Sequence, residues 1–393
     1  MLNHRLFAGK QETTQPSRYW SNFRKILVLL LLVAVFCLVP LGLKGWQKKS
    51  LVQNIRSHGG AVQFSHGNCK YGICSVPHPK LEVFTGAISS IVAPDSDNFP
   101  VNDEFIHSLG DQPHLTSLFL GTHQNPTVMT DQGLAVLTKN PLQNLSITGG
   151  SITDQGFNLL GNLSTLKSLR LYDLEFTGEL FHRAPAMQKL SHLYLSGSKI
   201  TNSGLEKLSA FPSLKYLNIM NTRVSGDGLR HLSKLKKLSN LCIDNTGIKA
   251  NSLHYLTQIK SLNLLGMVGS STTDSHLQQI SSLKSVTFLT LRDSQVTDQG
   301  LIPLAKMKSL NLLYLVDTHI TDEGIKPLTR IENLTYLDLS NTEITDQAKS
   351  DLLQIPQLVG LNVYGTKLST ATIQALRDSG LIVESNKPPS ITY

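Results

Sequence analysis

Three of the patterns that announce enzyme chemistry are missing from this chain. It has no Gly-x-x-x-x-Gly-Lys to cradle a phosphate, no Gly-x-Ser-x-Gly turn to expose a nucleophile and no His-Glu-x-x-His to hold zinc. Acid is nearly absent from the first 57 residues, where Glu12 stands alone among nine Lys and Arg. That segment carries the whole formal excess of +8, so the rest of the chain is balanced. The alkaline character is therefore a local feature suited to anionic lipid headgroups, and it argues against a nucleic-acid partner. Cysteine is scarce at four residues. Cys37 lies in a hydrophobic run, and Cys242 falls on the open side of a strand as a free thiol or filler.

What is abundant is one sentence repeated. An apolar residue recurs every 24 positions at Leu142, Leu166, Leu190, Leu214, Leu238, Leu262, Val286, Leu310, Leu334 and Leu358, and a period this strict means a solenoid. Each copy reads L-x-x-L-x-L-x-x-T-x-I-T-D-x-G-L-x-x-L, as from Leu310 through Leu313, Leu315, Thr318, Ile320, Thr321, Asp322, Gly324 and Leu328. The alternating Leu pair predicts a short strand with one buried face. The hydroxyl residue after it (Thr222, Thr246, Ser294, Thr318, Thr342, Thr366) is expected to satisfy the turn and to stack into a ladder. Thr-Asp (Thr153–Asp154, Thr297–Asp298, Thr345–Asp346) predicts a helix start, with the hydroxyl as cap and the acid in the positive first turn. Repetition also argues against reading Asp131, Asp154, Asp298, Asp322 and Asp346 as catalytic or metal-binding, because one structural role explains them all. Apolar residues spaced by three (Leu205 and Leu208; Leu229, Leu232 and Leu235) then turn one stripe to the strands.

Discipline weakens toward the ends, as terminal units must face water. A copy opened by Leu115 comes 27 residues before Leu142, with an insertion around Gln124 to Val128. A fainter one runs through Ile88, Ile91, Asn102, Asp103 and Leu109. In the copy opened by Leu166, Phe176, Thr177 and Gly178 replace Ile-Thr-Asp, so its helix is not expected. Leu381 to Val383 is a candidate closing strand.

These motifs resemble the leucine-rich repeat, in the 24-residue form close to the cysteine-containing and ribonuclease-inhibitor-like subclass, over about residues 88–383. The resemblance implies an α/β right-handed horseshoe with a parallel concave sheet and convex helices. The whole is similar to bacterial single-span proteins with a short tail, one hydrophobic helix and a juxtamembrane Gly-Gly before the repeats.

The second signal is Ile26 to Leu43, eighteen residues without a charge. At about 1.5 Å per residue the run reaches roughly 27 Å, enough for a thin hydrocarbon core. It exceeds a signal-peptide core and no small-x-small site follows, so it reads as an uncleaved signal-anchor. The expected organisation is a basic tail (1–25), a membrane span (26–43), a juxtamembrane or capping segment (44–87), repeats (88–383) and a C-terminal tail (384–393). Positive residues number five before the span (Arg5, Lys10, Arg18, Arg24, Lys25) and four after it (Lys44, Lys48, Lys49, Arg56), which favours a cytoplasmic N-terminus with the repeats outside. Within the juxtamembrane segment a strand is expected at Ala61 to Phe64. Cys69 and Cys74 lie between His66 and His78, and a disulfide, free thiols and a low-weight zinc set of all four residues are open readings.

With no catalytic residue and no cofactor expected, function falls to a surface. Residues alternating with the buried leucines point out of the sheet: Arg170, Tyr172, His192, Tyr194, Tyr216, Asn218, Phe288, Arg292, Tyr314, Tyr336, Asp338 and Tyr364 form the expected partner-binding face. Six of the ten tyrosines fall there, and Tyr mixed with Asn and Arg is the composition of binding surfaces. The competing reading is that aromatics simply pack between strands. The expected function is receptor-like binding of a protein partner by a membrane-anchored solenoid. A cytoplasm-facing membrane scaffold differs only in topology. A GTPase-activating type of regulator would use Arg170 or Arg292 as its rim arginine.

Overall fold

The computed structural model describes residues 56–57, 61–65, 87–93, 100–184 and 186–386. The chain divides into two units, Met1–Phe99 and Pro100–Tyr393. The apolar run 26–43 and the His66, Cys69, Cys74, His78 group lie outside the described residues. No helix among the described residues is long and apolar enough to cross a membrane.

In the first unit, β1 (Ala61–Ser65) pairs antiparallel with β2 (Ala87–Val92). Val62 and Ile91 face each other and are buried. The register slips between Gln63 and Phe64.

The second unit turns the 24-residue period into a parallel sheet. Its strands are β3 (Ser117–Leu120), β4 (Asn144–Thr148), β5 (Ser168–Tyr172), β6 (His192–Tyr194), β7 (Tyr216–Asn218), β8 (Asn240–Cys242), β9 (Leu264–Gly266), β10 (Phe288–Thr290), β11 (Leu312–Tyr314), β12 (Tyr336–Asp338), β13 (Gly360–Asn362) and β14 (Ile382–Glu384). They follow one another in chain order, each beside the next. From β4 to β13 equivalent residues pair, as in Leu289↔Leu313 and Leu313↔Leu337. The longer first copy keeps phase because Leu118 pairs with Leu145, while its extra residues form a turn closed by Thr122 N–H to Asn125 O and tied back by the Thr127 hydroxyl on Gly149 O. The closing strand predicted near Leu381 is β14, with Val383 opposite Leu361.

Leu310, Leu313 and Leu315, the three apolar positions of the frame, are fully buried, as are their counterparts in neighbouring copies. Burial of a leucine side chain is worth roughly 1.5–3 kcal/mol, so the frame supplies the main stabilisation. The layer behind the sheet is less regular than a row of α-helices. Asp131–Leu137 and Asp154–Leu160 are short α-helices, whereas Arg230–Lys234 and Ala250–Gln258 are 3₁₀. The three-residue spacing explains this, since side chains at i and i+3 eclipse on a 3₁₀ turn. Leu253, Leu256 and Ile259 follow it and are buried. In the copy opened by Leu166 the helix shrinks to the turn Phe181–Arg183. Phe157, Phe176, Phe181 and Phe211 fill that space, with Phe157 5.0 Å from both Phe176 and Phe181.

Two polar periodicities bind the repeats, and neither works quite as the sequence implies. Thr222, Thr246, Thr318 and Thr342 each donate to the carbonyl three residues back, at 2.6 Å. The hydroxyl ladder expected there is therefore a series of separate local turns, and the buried Ser294 hydroxyl has no partner. The inter-repeat ladder belongs to Thr-Asp. The carboxylate of Asp322 accepts the N–H and the hydroxyl of Thr345 in the next copy at 2.7 and 2.6 Å. Asp103 does the same for Thr130, Asp131 for Thr153, Asp274 for Thr297 and Asp298 for Thr321. An acid placed for its own helix start thus also anchors the next one.

A second unforeseen period lies seven residues after the opening apolar position. Asp173, Asn221, Asn245, Asp293, Asp317 and Asn341 have φ between 49° and 56°, and Gly149, Gly197, Gly269 and Gly365 take the same place with positive φ. Only Gly, Asn and Asp enter this left-handed region readily. The chain turns there out of each strand.

Candidate functional site

The open face of the sheet carries two rows of rings. The first steps diagonally across β5, β6 and β7, because Tyr172, Tyr194 and Tyr216 lie six, four and two residues after their opening leucines. Diagonal neighbours on adjacent strands are within reach of aromatic side chains. Tyr172 meets Tyr194 edge-on at 6.4 Å, and Tyr194 stacks on Tyr216 at 4.7 Å. The Arg170 guanidinium lies over the Tyr194 ring at 4.6 Å, and His192 stacks beside Tyr216 at 6.1 Å. The second row joins Phe288 to Tyr314 at 4.9 Å and Tyr314 to Tyr336 at 5.3 Å. The tyrosine and phenylalanine rings are half-buried, and His192 is exposed. Each is packed edgewise against its neighbours while part of it stays open to solvent, so strand packing and an accessible surface coexist. Between the rows the face is shallow: a Cβ on Gly266 would meet the Cys242 sulfur at 3.2 Å.

The remaining predicted face residues divide. Arg292 is exposed and 3.9 Å from Asp293, and Tyr364 is half-buried with no ring partner among the described residues. Asn218 and Asp338 are buried and committed to backbone. Asn218 accepts the Met220 N–H at 3.0 Å. Asp338 accepts the Ser340 N–H at 2.9 Å and hydroxyl at 2.5 Å, and its other oxygen takes the Asn362 amide at 3.2 Å. Both side chains were expected on the partner-binding face, and in the structure their polar atoms are engaged at the strand exits, where nearby backbone groups compete for short polar side chains.

Electrostatics distinguish the first row further. Burial, then the charges of Arg170 and Lys215, hold the His192 imidazole below its ordinary value. Burial pushes the Tyr216 hydroxyl well up, reinforced by Cys242, whose sulfur lies 3.3 Å away. The Cys242 thiol is itself pushed up to about 11 by burial. It stays protonated at neutral pH, which makes it a filler and not a nucleophile. Asp244, next on that face, is raised by burial to about 6 although the Val268 N–H donates to it at 2.5 Å.

Two contributors were not anticipated. His123 comes from the lengthened first copy, packs 5.8 Å from Tyr172 and bonds Asp173 at 2.9 Å. Lys215 precedes the strand residue Tyr216 and adds charge beside His192. The insertion itself was the available signal for His123, since extra residues at a strand exit border the face. Among the described residues no group of three or more His, Cys, Asp or Glu is arranged to hold a metal ion.

Comparison with known proteins agrees with the repeat architecture. The family model described as Leucine Rich repeat matches residues 186–209 and 331–348. No curated protein matches the chain. Among solved structures, an internalin (inlF) from Listeria monocytogenes is similar at 19% identity, over 77% of this chain and 87% of that one, with a TM-score of 0.47. The two matched segments lie within the 24-residue period, at the copies opened by Leu190 and Leu334.

Proposed function

We propose that this protein is a membrane-anchored binding protein whose leucine-rich repeats hold a protein partner against the ring-bearing face of the sheet. The observation that carries the reading is the pair of half-open aromatic rows. Rings fixed by stacking on β5–β7 and on β10–β12 lose little conformational freedom on binding and present a large, stiff contact area. Anchoring rests on the uncharged run 26–43 and its basic flanks. The same features support repeats outside the cytoplasm. The regulator with a rim arginine would use Arg170, which rests on the Tyr194 ring, or the exposed Arg292, 3.9 Å from Asp293.

The test uses the full-length chain as bait beside a variant with Tyr194, Tyr216, Tyr314 and Tyr336 all changed to Ser. A partner captured by the first is expected to bind the second at least tenfold more weakly. Undiminished capture by a folded variant sends the site elsewhere. For topology, a reporter fused after Tyr393 is expected to be active only outside the cytoplasm, and cytoplasmic activity selects the scaffold reading.

A further inference from the structure

Charge on the face is not evenly distributed. Along β5, β6 and β7 the outward positions are Ser168, Arg170, Tyr172, His192, Tyr194, Ser196, Tyr216, Asn218 and Met220, preceded by Lys167, Ser191 and Lys215, and none of these is Asp or Glu. Two acids border the row: Asp173 at the strand exit, which His123 engages at 2.9 Å, and Asp244 beyond β7, a mostly buried carboxyl whose charge acts on Tyr216. Three lysines elsewhere in the unit are answered across neighbouring copies: Lys199 by Glu175, Lys308 by Glu332 and Lys367 by Glu343. Arg170 and Lys215 form no ion pair among the described residues. Arg170 rests instead on the Tyr194 ring and hydrogen-bonds Tyr172, which fixes its direction without neutralising it. His192, between these two cations, stacks on Tyr216, and its Nδ1 is 2.9 Å from the Ser191 hydroxyl.

Resting on the function proposed above, we infer that Arg170, His192 and Lys215 form an anion subsite within the aromatic row, and that the partner docks there with an acidic segment carrying aromatic or apolar side chains. The rings of Tyr194 and Tyr216 supply contact area; the three basic groups, on consecutive strands roughly 4.8 Å apart, supply complementarity to successive carboxylates. Like-charge crowding with no compensating acid is a standing cost in the free protein, and a carboxylate relieves it. The groups facing His192 are Lys167, Ser168, Arg170 and Tyr172 on β5, its own Ser191 and Tyr194, and Lys215 and Tyr216 at β7. No acid among them opposes protonation once a carboxylate arrives. Binding is thus coupled to proton uptake by His192 and tightens as pH falls from neutrality, while peptide carboxylates stay ionised down to about pH 5.

The probe is a fluorescein-labelled peptide of alternating Glu and Tyr, with Gln-Tyr and Lys-Tyr peptides of equal length as controls, titrated by anisotropy onto the full-length chain. The Glu-Tyr peptide is expected to bind at least tenfold more tightly than Gln-Tyr, and more tightly at pH 6 than at pH 7.5. Arg170→Gln with Lys215→Gln is expected to abolish that tenfold preference, and His192→Gln to flatten the pH dependence. Arg170→Lys, which keeps the charge but loses the stacked geometry, is expected to give an intermediate loss. Equal affinity for the Glu and Gln peptides, or a preference untouched by the double variant, overturns the subsite. Vesicles of anionic phosphatidylserine capturing the chain through these residues, with the peptide ignored, overturn it in favour of lipid. If partner capture is lost in the four-tyrosine variant yet indifferent to Arg170→Glu with Lys215→Glu, only this inference falls. If capture survives both, the aromatic face itself is not the site.

Discussion

Asp244 shows what one residue costs when the fold places it. Its outward position is readable from the repeat, but its burial between β8 and β9 is not. With its carboxyl raised to about 6 from 3.8, the folded protein holds a proton that the unfolded chain releases, so stability falls as pH rises from about 4 to about 6 and stays reduced above that. About two pKa units correspond to a penalty of roughly 2–3 kcal/mol at neutral pH. Asp244→Asn keeps an oxygen for the Val268 N–H and removes the charge. It is expected to raise the melting temperature at pH 7 and to lessen the slope of stability between pH 4 and 6; an unchanged slope means the carboxyl is not the source. The left-handed row at Asp173, Asn221, Asn245, Asp293, Asp317 and Asn341 is the opposite case. It was legible, because only Gly, Asn and Asp recur at that place in these copies. The position carries no hydrophobic signal, so periodicity of apolar residues does not mark it.

At the scale of elements, the Thr-Asp pair was recognised as a helix start, while its bond to the next copy was not. A cap is local and follows from residue type. A bond spanning 23 residues, as between Asp322 and Thr345, needs the copies to be stacked before it exists. The molecule contains its own control: Asn202 accepts the Ser225 N–H at 3.0 Å and donates its amide to that hydroxyl at 2.7 Å. Asp322→Asn is therefore expected to cost under about 1 kcal/mol, and Asp322→Ala about 1–3 kcal/mol, because two donors of Thr345 are orphaned. Urea denaturation distinguishes them. Equal losses for both would assign the effect to the helix dipole instead.

For the whole repeat unit, the ladder loses its acid once at Gly178, where Glu179 takes the Thr201 hydroxyl instead, and then at two consecutive places with no such stand-in at the next residue. Gly226 offers no oxygen to Lys249 and Ala250 none to Thr273, in the stretch where the helical layer becomes the 3₁₀ run Ala250–Gln258. Any side chain at Gly226 would strike the Ser252 hydroxyl at 1.9 Å. One substitute tie remains: His276 accepts the Thr273 N–H at 3.2 Å on Nδ1 and donates from Nε2 to Ile248 O at 3.1 Å. Solenoid stability is close to a sum of unit and nearest-neighbour terms, so the stack should open first here. Native-state hydrogen exchange is expected to show weaker protection over residues 226–273 than over the flanking copies. Uniform protection would mean that the buried leucines alone set cooperativity. The gap also falls between the two aromatic rows, so a partner engaging both would bridge the weakest joint.

The sequence by itself determined the repeat, the phase of the strands from β4 to β13 and which leucines are buried, because a period held over ten copies leaves one register in which all the leucines meet. It also determined which face the tyrosines occupy, since alternation along a strand is a property of the backbone. Tertiary structure alone decided how those rings share that face: one diagonal row and one zigzag row, Arg170 on a tyrosine ring, and Asn218 and Asp338 withdrawn to bind backbone. The ring contacts depend on distances between residues 22 to 26 apart, set only once the strands lie side by side, and the backbone bonds of Asn218 and Asp338 on the turn taken two residues on.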